Sequence, residues 1–126
     1  MSYDCYCDYD PASVFSVKTV TARKRHQCCE CRRVINPGET YRYAFGVWSG
    51  DASSLHTCSH CYEIQNFVSI SIPCFCWEYG NMIECAEEAI ADAYYRAKDE
   101  VRGLRTGFYR RVIAGRRAAK LARLAA

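Results

Sequence analysis

Along the first half of the chain apolar and polar positions alternate, and along the second they recur at helical spacing. Between Ser13 and Thr21, Val14, Ser16, Lys18 and Val20 fall on one side, and Phe15, Val17 and Thr19 on the other, which predicts a strand. Residues Thr40 to Trp48 read Thr-Tyr-Arg-Tyr-Ala-Phe-Gly-Val-Trp, β-branched and aromatic, and predict a second strand. Asn36-Pro37-Gly38 ahead of it and Ser49-Gly50-Asp51 behind it predict turns, and Leu55-His56-Thr57 the return strand of a hairpin. From Cys58 to Ile70, Cys61, Ile64, Phe67 and Val68 recur at helical spacing. Pro73 biases Ile72 away from helical geometry and so ends that helix. Glu78-Tyr79-Gly80-Asn81 then reads as a turn and helix start.

Beyond Met82 one stripe of apolar or small residues runs to the end: Met82, Ala86, Ile90, Ala93, Ala97, Val101, Leu104, Phe108, Val112, Gly115, Ala119 and Ala122. An eleven-residue repeat means about 3.67 residues per turn, so such a stripe stays nearly straight along a helix. Its phase survives Gly103 and Gly107, which favours one long helix. Each glycine costs about 1 kcal/mol inside a helix, which favours a helical hairpin turning at 103–107. The expected fold is α+β: a small knuckle–hairpin–helix module followed by a long helix or a helical hairpin. The expected division is a module over residues 1–80 and a basic helical extension over 81–126.

The cysteines change this picture most. The chain has ten in 126 residues, which points to disulfides or metal. Cys28 with Cys31 and Cys58 with Cys61 form two C-x2-C pairs, separated by 26 residues. Four thiolates are what a tetrahedral structural zinc ion accepts. A disulfide inside C-x2-C is strained and redox-active rather than structural. The start, Met-Ser-Tyr-Asp-Cys, is acidic and polar, unlike a signal peptide. A reducing cytoplasmic setting is therefore expected, which favours metal over disulfides. Two C-x-C pairs, Cys5 with Cys7 and Cys74 with Cys76, supply a candidate second zinc site. Buried small hydrophobes, a disulfide and a redox-active dithiol are the alternatives for them. Cys29 competes with Cys28 as a ligand, and the spacing favours Cys28. One Zn2+ is expected, two if the second site is real. No apolar run approaches the ~20 residues of a membrane helix.

Charge is uneven although the net is only +3. Arg23, Lys24, Arg25, Arg32 and Arg33 flank the first ligand pair. They read either as a surface balancing thiolate charge or as phosphate contacts. Residues 78–100 carry seven acidic and two basic side chains, and residues 101–126 eight basic and no acidic ones, including Arg105, Arg110, Arg111, Arg116, Arg117 and Lys120. Cations near a helix C-terminus suit its dipole, but eight exceed that need. They point to nucleic acid or to an anionic protein or membrane surface. Alternatively the acidic and basic halves pair in a hairpin or in an antiparallel homo-oligomer.

The order of knuckle, hairpin and helix over residues 26–70 resembles the treble-clef zinc fingers, a scaffold with many unrelated activities. Treble clefs include HNH-type nucleases, for which His56, His60 and Asn66 are the residues this stretch offers. The Asp-His pair of that family is absent from the hairpin, and a non-enzymatic role is expected. Residues 23–41, Thr57 to Cys61, the opening Tyr3 to Asp8, and Val101 to Arg105 resemble small, uncharacterised proteins encoded by tailed bacteriophages and prophages. That resemblance spans most of the chain and implies an infected bacterial cell, or a virion, as the setting. It assigns no residue a role. Three functions are expected from these features: nucleic-acid binding through Arg23, Lys24, Arg25 and the distal arginines; an anti-CRISPR-like inhibitor of host defence or of transcription, binding protein through Tyr41, Tyr43, Trp48, Tyr94 and Tyr95; or a small virion component. No small-molecule substrate is expected.

Overall fold

A computed structural model describes residues 14–72, 75–96 and 103–125. Its elements are β1 Val14–Thr21, β2 His26–Gln27, β3 Val34–Ile35, β4 Thr40–Trp48, β5 Asp51–Cys58, α1 Ser59–Ser71, α2 Met82–Arg96 and α3 Leu104–Ala125. The fold is α+β. β1, β4 and β5 form an antiparallel sheet with β4 in the middle, and β2 and β3 form a two-residue ladder beside it.

The turns follow from their residues. Trp48 pairs with Asp51 across Ser49 and Gly50, both at positive φ (51° and 83°), the mirror-image turn whose twist suits a two-residue hairpin. Pro37 and Gly38 (φ 93°) occupy the centre of a turn closed by the Glu39 amide donating to the Asn36 carbonyl at 3.1 Å. Its neighbours tie it to the end of β1: Gly38 N–H donates to Ala22 O, and Ala22 N–H to Glu39 O, each at 2.8 Å.

Register sorts the sheet into two faces. Lys18, Tyr43 and His56 form one cross-strand row, and Val20, Tyr41 and Cys58 the next row on the same face. The opposite face carries Arg42, whose guanidinium lies 4.1 Å from the Tyr62 ring of α1. Phe15, Trp48, Tyr79, Trp77 and Phe75 continue that side as a chain of edge-on, tilted and stacked rings.

α1 is the central helix. It packs against α2 and α3 and touches β4 and β5. Its buried face is Cys61, Ile64 and Val68, and it ends at Ile72, which is extended (φ −121°, ψ 114°). Of the expected apolar stripe, Ala97 and Val101 lie outside the described residues, and two helices carry the rest. Met82, Ala86 and Ile90 of α2 and Leu104, Phe108 and Val112 of α3 enter the same core as Cys28, Ile35 and Cys61. Gly103 at φ 83° breaks the phase of one continuous helix; glycine pays little for that conformation. Gly107 sits inside α3, where a β-carbon would come within 2.6 Å of the Phe67 ring, and Gly115 lies against His60. These glycines let α3 approach α1 closely rather than turning the chain. Among the described residues no helix is long and apolar enough to cross a membrane.

Candidate functional site: a four-cysteine centre and cationic surfaces

The knuckle is shaped by its backbone. Cys28 N–H donates to Arg33 O at 2.9 Å and Arg32 N–H to Cys28 O at 3.1 Å, with Arg32 at φ 66°. This curl turns Cys28 and Cys31 to one side. Cys58 ends β5 and is the N-cap of α1, and Cys61 lies in that helix's first turn. The exposed amide ends of the helix favour thiolate there. The four ligand sulfurs lie within 4.8 Å of one another, and Cys31 Sγ is 3.7 Å from Cys58 Sγ. A tetrahedron with Zn–S arms of about 2.3 Å has edges of about 3.8 Å. The backbone amides of Glu30 and Cys58 both donate to Cys28 Sγ at 3.4 Å.

As bare thiols the four cannot all ionise. Hydrogen bonding with Cys31 holds Cys28 below the usual thiol range, and contacts with Cys28, Cys31 and Cys61 hold Cys58 below it; Cys31 and Cys61 are pushed up in return, each first by Cys28. A divalent cation removes that conflict, and an all-sulfur donor set suits Zn2+. The four residues can therefore hold a metal ion.

The surroundings of the centre are matched to its charge. Arg33 is buried and stays protonated: burial opposes its charge, but the Glu39 carboxylate, at 2.8 Å from Nη2, and the Cys58 sulfur outweigh burial. Glu39 is itself held by the Asn36 amide at 2.6 Å. Glu30, inside the knuckle, reaches 50 residues ahead. Its carboxylate accepts from Gly80 N–H at 2.6 Å and Met82 N–H at 3.0 Å, covering the first amide of α2 and one in the turn before it. Burial nevertheless keeps its pKa above the ordinary range.

The structure brings together Cys28, Cys31, Cys58 and Cys61, the first predicted set. Cys29 is turned away, 3.6 Å from Thr57 Oγ1; burial pushes its thiol up to about 11. Of the second predicted set, Cys5, Cys7 and Cys74 lie outside the described residues. Cys76 is disulfide-bonded.

The cations separate by role. Arg23, Lys24 and Arg25 are exposed on the loop between β1 and β2, whereas Arg33 is committed to Glu39 and to the Cys58 sulfur. On α3, Arg111 stacks on Phe67 at 4.0 Å and pairs with Glu63 at 3.6 Å, and Arg105 stacks on Tyr94 at 4.6 Å. Arg110, Arg116, Arg117 and Lys120 are exposed and make no ion pair among the described residues. Of the expected aromatic anchors, Tyr41 is 7% exposed and belongs to the core, Tyr43, Trp48 and Tyr94 are half-buried, and Tyr95 is 88% exposed.

Sequence reasoning missed Glu30 and Lys18, and of Arg33, read as a cation balancing thiolate charge, it missed the Glu39 partner. Glu30 acts across a distance that leaves no local signal. Lys18 carried one: it alternates in phase with Val20, and so shares a face with Tyr43. His56 is stacked on His26 at 4.3 Å, and burial first, then His26 and Lys24, lowers its pKa. His60 lies against α3 and Asn66 is exposed. Among known proteins, no family model, curated protein or solved structure matches this chain.

Proposed function

We propose that this chain is a zinc-stabilised treble-clef module that binds nucleic acid through its cationic surfaces, in the setting of a phage-infected bacterial cell. The treble-clef reading is supported by the order of the parts: a ligand knuckle at Cys28 and Cys31, the β4–β5 hairpin, then α1 with Cys58 and Cys61 at its start. The zinc has a structural part in this account: it ties the knuckle to the sheet and to α1.

The observation that carries the nucleic-acid reading is the outer surface of α3. Arg110, Arg116, Arg117, Lys120 and Arg123 are all exposed, and the helix has no acidic residue. The helix dipole calls for cations only in the last turn, where Arg123 already stands. The remainder form a surface whose natural counter-charge is a phosphodiester backbone.

The test is the salt dependence of binding to a labelled oligonucleotide. The logarithm of affinity should fall linearly with the logarithm of salt concentration, by about 0.9 per neutralised phosphate on a duplex. Replacing Arg110, Arg116, Arg117 and Lys120 with Gln should weaken binding on any sequence and flatten the slope by about 3.6. Unchanged affinity and slope contradict the proposal. A second reading, a protein-binding inhibitor of host defence or transcription, is favoured by Tyr95, which projects from α2 next to exposed acidic residues. Tyr95→Ala leaves nucleic-acid affinity intact if the first reading holds.

A further inference from the structure

The face of the sheet opposite Arg42 carries a wide cleft of about 900 Å³. Its wall and floor include Lys18, Arg23, Lys24, His26, Tyr41 and Tyr43, and among the described residues no carboxylate lines it. Arg23 and Lys24 are exposed at its rim, with no ion pair among the described residues. Lys18 Nζ stands 5.7 Å from the centroid of the Tyr43 ring.

The rings are held in place before any ligand arrives. The Tyr43 hydroxyl is within 3.0 Å of Ser54 Oγ. His26 stacks on His56, and Tyr41 packs against both, at 5.2 and 5.4 Å between centroids. The row below, Val20–Tyr41–Cys58, ends in a ligand of the metal centre. The floor is therefore anchored to the most constrained point of the fold.

Rigid rings rimmed by cations meet two chemical demands together. The cations suit phosphates, and the rings suit a flat π face. A duplex offers phosphates but hides its base faces in the stack; a single strand offers both. We infer that this cleft binds single-stranded nucleic acid, with a base against the Tyr43–His26 surface and flanking phosphates on Lys18, Arg23 and Lys24. This inference rests on the nucleic-acid reading above and narrows it to unpaired strands.

The experiment compares the binding of an oligothymidine of about a dozen nucleotides with that of a duplex of equal length. The intact protein under reducing conditions should bind the single strand about tenfold more tightly. Tyr43→Leu should remove that preference while leaving duplex affinity unchanged, with zinc content and circular dichroism as checks of folding. Tyr43→Phe should retain most of it. If Tyr43→Leu does not fold, Arg23→Gln with Lys24→Gln replaces it. That pair lies on an exposed loop and should weaken single-strand binding more than duplex binding. Equal affinity for single strand and duplex in the unmodified protein, or equal losses on both in the variants, overturns the inference and leaves the α3 reading standing. So does displacement of the oligonucleotide by inorganic phosphate at matched phosphate concentration, which makes the cleft a simple anion site. Binding to neither form overturns both readings.

Discussion

Arg33 and Glu39 show how a single pair can serve both a turn and the four-cysteine centre. The Arg33 side chain is 3% exposed and Glu39's is 33% exposed. Removing the carboxylate leaves a buried guanidinium with the Cys58 sulfur as its remaining counter-charge. Glu39→Gln should cost about 1–2 kcal/mol, a range set low because water reaches the Glu39 side. Burial raises the Glu39 pKa, but Arg33, then the Asn36 amide and the His60 charge, outweigh it and place it below the ordinary value. A carboxyl depressed by folding contributes its stability above its unfolded pKa and loses it as pH falls through the folded one. The difference in urea stability between the natural protein and Glu39→Gln should thus be constant above about pH 5 and shrink in more acid solution. A difference that does not change with pH would remove the ion pair from the account. Glu30 makes a separate contribution. Glu30→Ala uncaps α2 and should cost about 1–2 kcal/mol, read as faster hydrogen exchange at Met82 and the amides that follow.

At the scale of elements, the packing of α3 on α1 decides what the glycines mean. An exposed helical Gly107→Ala would gain about 1 kcal/mol from propensity. Here the new methyl meets the Phe67 ring, which Arg111 covers from another side at 4.0 Å. The ring cannot yield without giving up that contact. Gly107→Ala should therefore lower stability by about 1–2 kcal/mol, and a rise in thermal midpoint would contradict the close approach of the two helices. Elements of this kind divide into those legible in the sequence and those that are not. β1, the two turns, the hairpin and α1 were legible because each follows from a local rule: alternation, glycine at positive φ, helical spacing, a proline stop. The stripe over α2 and α3 was legible as a buried face, but one long helix and a hairpin turning at 103–107 both stood open, because phase favoured the first and the glycines the second. Gly107 reads locally as a helix breaker, and only the Phe67 ring across the interface explains it. The four ligands were legible because C-x2-C is a local signature. The partners that complete their surroundings, Glu30 on α2 and Arg33 on Glu39 and Cys58, depend on folding that brings distant segments together.

On the scale of the molecule, the four-cysteine centre joins the knuckle, the sheet and α1 at one point. Cys28 and Cys31 belong to the knuckle between β2 and β3, Cys58 closes the sheet, and Cys61 begins α1. Through Glu30 the knuckle also holds the start of α2, and through row Val20–Tyr41–Cys58 it underlies the cleft. Metal bound at such a centre would add to the stability that the apolar core supplies. Chelation under reducing conditions should therefore release more than the knuckle: cooperative loss of helical circular dichroism and of oligonucleotide binding is expected together. Loss of metal with the helices and binding intact would confine the centre to a local role.

The most direct measurement is X-ray absorption at the zinc edge on protein purified under reducing conditions. The account predicts bound zinc in an all-sulfur, four-coordinate shell with Zn–S distances of about 2.3 Å. A shell containing oxygen or nitrogen, or protein that carries no zinc, would contradict it.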